Sequence, residues 1–378
     1  EILYVMGAVY EREVEDVEKA IDTYQRVLEL DPDDIQSMQR LDALYQESEQ
    51  WHELMSILER EAELVGNPDE VIGFKYRIGA LWEGHLDDIG RAVDMYREIL
   101  QVVPDHPETI EALEGIVRGE REPLLAAEIL EQLYEDAGEW RKLIDVLEVQ
   151  LAHTDEDDPW SKVQLLHRIA GLLESDLHLD SATEAFDAYA RAFVEDASNE
   201  ETLSALERLA ESTDRWEELS KIYDKYLDDA DDPELIIDVS SRVGAIYEER
   251  LGNPEAAIER LAKVIDHDPD SRSALESLDR LYQITEKWEE LADILRREAT
   301  IAPSPDDALE FQFRLGQVYE LELENIDEAI DCYRDILATA PDHVETLQAL
   351  ERLFNNGNKQ DEIIEILDAA VEGSDWAF

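Results

Sequence analysis

The sequence is poor in cysteine and lysine, and it contains no long apolar run. A single cysteine, Cys332, occurs among 378 residues, which excludes an internal disulfide and leaves the redox compartment open. We expect Cys332 to be a small packing residue rather than a nucleophile. No apolar stretch approaches the length that a bilayer requires, so the sequence predicts no transmembrane helix.

Positive charge is scarce as well, because 33 lysine and arginine residues stand against 96 aspartate and glutamate residues, a formal net charge of -63 at pH 7. A surface of this sign repels polyanions, which excludes nucleic acid bound through its phosphates and disfavours an anionic membrane. Two explanations of the acidity stay open. It is either a solvated surface that keeps the protein soluble, at ordinary or high salt, or an acidic groove that attracts a basic protein segment.

Motifs for catalysis, nucleotide binding and metal binding are absent. The sequence has no GxxxxGK[ST] loop, GxGxxG turn or GxSxG elbow, and none of its eight histidines forms a pair with zinc-site spacing. The acidic runs 155–158 and 228–232 lack the glycine and terminal glutamate of a calcium loop. His106 and His343 follow prolines at equivalent places, which indicates a helix start rather than a ligand role. We therefore expect no catalytic residue, no cofactor and no metal, and a protein that is not an enzyme.

Internal repetition is the main feature that the sequence does have. Five similar blocks recur, the last with glutamine in place of tryptophan: Trp51-His-Glu-Leu, Trp140-Arg-Lys-Leu, Trp216-Glu-Glu-Leu, Trp288-Glu-Glu-Leu and Gln360-Asp-Glu-Ile. The last three blocks are each 72 residues apart. Such repetition predicts stacked units that together bury a face that no single unit could bury alone.

A second pattern alternates with these blocks. A glycine is followed three residues later by an aromatic residue in Gly7-Ala-Val-Tyr10, Gly79-Ala-Leu-Trp82, Gly244-Ala-Ile-Tyr247 and Gly316-Gln-Val-Tyr319. An alanine, a large residue and a proline then follow at fixed distances, as Ala20, Tyr24 and Pro32, Ala92, Tyr96 and Pro104, Ala257, Leu261 and Pro269, and Ala329, Tyr333 and Pro341. Small residues on facing helices let their backbones approach, and proline ends the second helix. Asp105 or Asp342 could then cap the helix that follows.

This pattern resembles the tetratricopeptide repeat family, whose units have a small residue and an aromatic on helix A, then alanine, an aromatic and a terminal proline on helix B. The resemblance implies an all-α fold, a right-handed superhelical solenoid of about ten helical hairpins without strands. Each of the four units has one residue more between helices A and B than the family spacing, so we expect an altered turn. The tryptophan halves are divergent copies, in which Asp279 replaces the usual glycine or alanine.

The predicted units run over 1–72, 73–163, 164–237, 238–309 and 310–378, each with two hairpins, within one solenoid domain. The third copy keeps Ala185, Tyr189 and Ala192 of helix B but has Ala197 in place of the proline.

The second copy is longer than the others around residues 115–123. Pro123 suits the first turn of a helix, and Leu125, Ile129 and Leu133 continue at helical spacing. This spacing predicts an extra helix, with a looped surface insertion as the alternative.

The resemblance also implies protein or peptide binding on a concave face lined by the A helices. Carried over by position, that face has Tyr4, Ala8 and Glu11 in the first unit, Tyr76, Ala80 and Glu83 in the second, Ser241, Ala245 and Glu248 in the fourth, and Phe313, Gln317 and Glu320 in the fifth. Aromatic or small residues beside a repeated glutamate suit a partner that offers arginine or lysine next to apolar groups. The alternative is that these glutamates are solvated helix ends. A clamp for a C-terminal carboxylate is disfavoured, because this chain lacks the required lysine and asparagine at these places.

The sequence therefore predicts an interaction scaffold for a protein or peptide partner, in particular a basic one. A structural spacer with no groove ligand is the alternative. A narrower resemblance, to long acidic tetratricopeptide arrays of some Gram-negative bacteria, covers nearly the whole length and implies no particular activity. Because the sequence starts at Glu1 within a helical pattern, we expect a piece of a longer protein, and the cytoplasm is only a default expectation for its compartment. End-to-end self-association through the terminal helices is a further expectation.

Overall fold

Helices make up the part of the chain that the computed structural model describes, which is residues 1–175 and 181–373. Those residues contain 21 α-helices and no strand, so the all-α prediction is confirmed. Helices pack mainly on their neighbours in the chain, as a helical-repeat solenoid requires. The chain divides into two compact units, Glu1–Ala188 and Tyr189–Phe378.

The first compact unit contains ten complete helices. They are α1 (Ile2–Val9), α2 (Val17–Leu30), α3 (Ile35–Glu47), α4 (Trp51–Leu64), α5 (Pro68–Gly84), α6 (Ile89–Val102), α7 (Pro107–Arg118), α8 (Pro123–Ala137), α9 (Trp140–Ala152) and α10 (Pro159–Ser175).

The remaining helices begin with α11 (Ala182–Glu195), which passes into the second compact unit. They continue as α12 (Glu200–Thr213), α13 (Trp216–Asp229), α14 (Pro233–Ala245), α15 (Pro254–His267), α16 (Arg272–Ile284), α17 (Trp288–Ile301), α18 (Pro305–Gln317), α19 (Ile326–Thr339), α20 (Val344–Asn355) and α21 (Gln360–Gly373).

Helices A and B of a hairpin meet through the helix-A glycine. Gly79 of α5 lies so close to Tyr96 of α6 that a Cβ on the glycine would stand 2.6 Å from ring atom Cε1. The same approach recurs between Gly7 and Tyr24, Gly244 and Leu261, and Gly316 and Tyr333. Tyr96 is completely buried, so the ring has little room to move away. The glycine therefore makes room for the large helix-B side chain.

A π-helical turn accommodates the extra residue between helices A and B. Such turns lie at Tyr10–Val14, Ile246–Arg250 and Val318–Glu322, directly after α1, α14 and α18. In the last of them, the N–H of Leu323 donates to the carbonyl of Val318, five residues earlier, at 3.0 Å. After α5, Leu86 donates to Leu81 in the same way at 2.9 Å. A turn that closes over five residues holds one residue more than an α turn, which explains the altered spacing.

Prolines begin the A helices behind residues that cap them. Asn67 accepts a hydrogen bond from the N–H of Asp69, and Pro68 occupies the first turn of α5, where a missing N–H costs nothing. The A helices α5, α10, α14 and α18 begin at Pro68, Pro159, Pro233 and Pro305. The predicted unit boundaries at 73, 164, 238 and 310 therefore lie inside these helices, shortly after their starts.

The lengthened second repeat contains an additional helix. Pro123 lies in the first turn of α8, as predicted, and Leu130 and Tyr134 of this helix are buried. Five helices, α5 to α9, occupy the second repeat, where the first has four, α1 to α4. The alternative of a looped surface insertion is wrong for these residues.

Histidines cap two of the helices that follow a helix-B proline. The Nδ1 atom of His106 accepts a hydrogen bond from the N–H of Thr109 at 3.3 Å, and His343 makes the same contact with Thr346. Their predicted place at a helix start is confirmed. The expectation that the aspartate before each histidine is the cap is wrong, because α7 and α20 begin directly after the histidines.

Candidate partner-binding face

Three of the four repeated glutamates accept a hydrogen bond from the helix-B tyrosine of their own hairpin. The hydroxyl of Tyr96 donates to Glu83 Oε2 at 2.8 Å. The same distance joins Tyr24 to Glu11 and Tyr333 to Glu320. Glu248 has Leu261 at the tyrosine position and lacks this donor. Glu11, Glu83 and Glu320 are therefore part of the hairpin packing and are more than solvated helix ends.

Arginines of a following helix hold three of these glutamates. Arg352 donates to both carboxylate oxygens of Glu320, at 2.9 and 2.8 Å. The other two pairs are Arg280 with Glu248 at 3.1 Å and Arg40 with Glu11 at 3.5 Å. The Glu320 side chain is only 5% exposed, so it is already neutralised and covered. These three carboxylates have an internal cation beside them.

Glu83 differs from the other three glutamates. In residues 1–175 and 181–373 no lysine or arginine pairs with its carboxylate, and Tyr96 is its hydrogen-bond donor. Arg121 reaches only the main-chain carbonyl of Glu83, at 3.4 Å. The Glu83 side chain is half-buried, so it keeps access to solvent. Among the four predicted glutamates, this one has capacity for an external cation.

Helix α5 places Tyr76, Ala80 and Glu83 on one side of the helix, four and three residues apart. We call these three residues the Tyr76 face. The ring centroid of Tyr76 lies 5.9 Å from that of Tyr96 and 6.1 Å from that of His106. The ring is thus supported by two neighbours and remains half-buried. A ring held in this way loses little freedom when a partner stacks on it.

Carboxylates surround the Tyr76 face. Burial raises the pKa of Tyr76, and the charges of Glu83, Glu108 and Glu111 raise it further. Glu108 and Glu111 are exposed on α7. The phenol therefore stays neutral at physiological pH while its surroundings are negative. An aromatic ring in such a field suits an arginine or lysine side chain.

The other predicted face residues make local contacts. The Tyr4 ring lies 5.6 Å from Tyr24, and Phe313 lies 5.9 Å from Tyr333 and 5.6 Å from His343. Ser241 donates to the carbonyl of Ile237 in its own helix, and Gln317 is half-buried at the end of α18. Tyr4 lies in the first compact unit, and Ser241, Phe313 and Gln317 lie in the second. Their role in partner binding stays a prediction.

Sequence reasoning missed a recurrent ion pair at the junctions between hairpins. An arginine of an A helix donates to an acid of a helix in the preceding repeat, in the pairs Arg77–Asp42, Arg168–Glu131, Arg242–Glu207 and Arg314–Asp279. The sequence feature that could have indicated these pairs is the arginine, which lies two residues before the helix-A glycine or alanine in all four A helices. Asp279, which replaces a usual small residue, is buried. Its charge is tolerated there because Arg314 donates hydrogen bonds to both carboxylate oxygens, at 2.7 and 2.8 Å.

The described residues include one cysteine, whose thiol is not activated. Burial raises the pKa of the Cys332 thiol to about 11, so a thiolate does not form near neutral pH. No group of three or more histidine, cysteine, aspartate or glutamate side chains in the described chain could hold a metal ion. None of the described helices has both the length and the apolar character that crossing a membrane requires.

Family models of the tetratricopeptide repeat match four segments of the chain: residues 2–34, 126–159, 240–271 and 309–343. Three of these segments coincide with hairpins that carry the helix-A glycine, and 126–159 falls on α8 and α9. No curated protein matches the sequence.

Three solved structures illustrate the similarity. YrrB, described as a TPR protein with an unusual peptide-binding site, is 16% identical, covers 51% of this chain and 93% of its own, and has a TM-score of 0.30. The TPR domain of P58(IPK) is 13% identical, and the match covers 84% of this chain and 97% of that domain, with a TM-score of 0.23. A chain in the structure of Naa15/Naa10 bound to HypK-THB is 13% identical, and the match covers 98% of this chain and 67% of that chain, with a TM-score of 0.27.

Proposed function

Because the chain belongs to the tetratricopeptide repeat family, we propose that it is a non-enzymatic interaction scaffold that binds a basic protein or peptide segment. The Tyr76 face, flanked by Glu108 and Glu111, is the contact site in this proposal. The single observation that carries it is that, within the described residues, no lysine or arginine pairs with the Glu83 carboxylate, whereas Glu11, Glu248 and Glu320 each have an arginine.

Recognition at this face combines two contacts. An arginine or lysine of the partner pairs with Glu83, and its stem or an adjacent apolar residue covers the Tyr76 ring. Hydrogen bonds to charged groups contribute about 1.5–3 kcal/mol each, which corresponds to roughly tenfold or more in affinity. The remaining negative charge increases the encounter rate with any cationic protein and adds little specificity.

Comparative affinity capture tests this proposal. Wild-type chain, a Tyr76→Ala/Glu83→Gln variant and a Glu59→Gln control are immobilised, and proteins retained from the source lysate are quantified by mass spectrometry. Glu59 is exposed on α4, so its replacement removes a charge away from the face. We expect a defined basic protein that wild type and control retain equally, and that the face variant retains at least about tenfold less.

The other outcomes of the capture are equally informative. Equal retention by all three chains would place the contact elsewhere on the scaffold. Retention of no specific protein by wild type would favour the structural spacer, in which the repeats only separate other parts of an assembly.

A further inference from the structure

At three of the junctions between hairpins, a helix that begins with tryptophan contributes the residue ten positions after that tryptophan. This residue is Glu61 on α4, Gln150 on α9 and Glu298 on α17. Each lies beside one of the arginine–acid pairs described above, respectively Arg77–Asp42, Arg168–Glu131 and Arg314–Asp279. The same chain thus offers one junction with an amide and two with a carboxyl at the same place.

Gln150 shows what the position does when its side chain is an amide. Its Nε2 donates to Glu131 Oε2 at 2.5 Å, and Arg168 donates to the other oxygen of the same carboxylate. Burial alone would raise the pKa of Glu131, but these two donors outweigh it and lower the pKa. The junction acid is therefore satisfied on both oxygens.

Glu61 and Glu298 occupy the same position as Gln150, but their side chains are carboxyls and have no N–H group to donate. Each is only 4% exposed, and within the described residues the Oε2 atom of each has no hydrogen-bond partner. The neighbouring Arg77 and Arg314 already engage both oxygens of Asp42 and Asp279. With both acids ionised, each junction would bury two negative charges against one positive charge. Such an excess charge is costly in a buried site.

We propose that Glu61 and Glu298 hold a proton below neutral pH and donate it in a hydrogen bond to Asp42 and Asp279, as Gln150 donates its amide N–H to Glu131. Loss of the proton leaves an uncompensated charge inside the junction, which loosens. The two carboxyls make their junctions pH-sensitive, and the Gln150 junction serves as the insensitive counterpart within the chain.

The electrostatic surroundings agree with this assignment. Burial raises the pKa of Glu61 from 4.5 to about 7, with Asp42 raising it further and Arg77 lowering it. For Glu298, burial likewise raises the pKa to about 7, Asp279 and Glu276 of α16 add to the effect, and Arg314 of α18 opposes it. Arg272 of α16 and Asp307 of α18 are the other charged residues that line the cleft beside Glu298.

The sign of the pH effect follows from the raised pKa. The folded junction binds the proton more tightly than the unfolded chain does, so its stabilisation is complete below pH 4.5 and is lost as the pH rises through 7. A shift from 4.5 to about 7 corresponds to roughly a 300-fold change in the opening equilibrium per carboxyl.

Hydrogen exchange read by mass spectrometry tests the proposal on the full chain. Protection of peptides from α16 to α18, corrected for the intrinsic exchange rate, is compared at pH 5.5 and pH 8.5. In wild type we expect protection to fall by a factor of up to roughly 30 between these two pH values, because at pH 5.5 the carboxyl of the unfolded chain, with a pKa of 4.5, is already mostly ionised. Glu298→Gln should abolish this fall, whereas Glu289→Gln, at an exposed position of the same helix, should leave it unchanged.

The reciprocal change provides an independent readout in the other compact unit. Gln150→Glu should give α8 to α10 a fall in protection with pH that wild type lacks there. A wild-type protection at α16 to α18 that does not depend on pH would overturn the proposal. A Glu298→Gln chain that keeps the wild-type pH dependence would overturn it too, because the proton would then belong to another group.

Discussion

At the scale of single residues, the helix-A glycine determines how closely a hairpin closes. Gly79 leaves the space that the Tyr96 ring occupies, and the ring brings its hydroxyl to Glu83 at 2.8 Å. Packing and hydrogen bonding are therefore linked through one residue without a side chain. The same combination recurs at Gly7 and Gly316.

Gly79→Ala is expected to destabilise the chain by about 1–3 kcal/mol, because its Cβ would stand 2.6 Å from a fully buried ring. Gly73→Ala is the matched control in the same helix, since nothing lies within 4 Å of a Cβ there. Alanine should be neutral at Gly73 or stabilise by up to about 1 kcal/mol through helix propensity. Urea unfolding followed by circular dichroism measures both changes, and an equal loss for the two variants would contradict the packing account.

The sequence predicts the glycine and tyrosine positions but not the bond between tyrosine and glutamate. Glycine, alanine and tyrosine recur at fixed spacing because each fills one place in a repeated contact, and such recurrence can be read directly. Glu83 and Tyr96 are 13 residues apart on two helices, and only the geometry of the turn brings them together. The glutamates therefore read as surface residues in the sequence, although three of them are bound internally.

At the scale of helices, junctions between hairpins are held by partly buried ion pairs beside an apolar core. Leu278, Leu291 and Leu315 from α16, α17 and α18 are buried in one apolar cluster, and Asp279 and Arg314 directly follow and precede two of these leucines in the sequence. The sequence indicates the apolar residues through helical spacing. It does not reveal which of 96 acids meets which arginine, because the partners are 35 or 37 residues apart and most helices carry several acids.

Removing one partner of such a pair should cost more than removing an exposed pair. Arg314→Met leaves Asp279 buried without its cation, and we expect a loss of about 2 kcal/mol, less than for a fully buried pair because Arg314 keeps 30% of its side-chain exposure. Arg97→Met removes the partner of exposed Asp94 and should cost less than about 1 kcal/mol. Denaturant midpoints of the two variants decide the matter; similar midpoints would show that the junction pair adds nothing beyond a surface contact.

At the scale of the whole molecule, the net charge of -63 determines which partners approach, and local contacts determine which of them stay. Charges further away than about 8–10 Å are screened at physiological salt, so the overall acidity steers cationic proteins without selecting among them. Selection requires a face with a carboxylate that has no arginine or lysine partner among the described residues, and a supported aromatic ring. The Tyr76 face has both, at a position that the resemblance indicated. What distinguishes Glu83 from the other three glutamates is the arginine beside each of those three, and only the structure shows these pairs.

Site-specific photo-crosslinking tests the central claim most directly. A benzophenone amino acid replaces Ala80 within the Tyr76 face in one chain and exposed Asp94 on helix α6 in another, and each is irradiated with the partner recovered by capture. The account predicts crosslinks to a basic segment of the partner from position 80 and none from position 94. Crosslinks from position 94 alone, or from neither position while the partner remains bound, would contradict it.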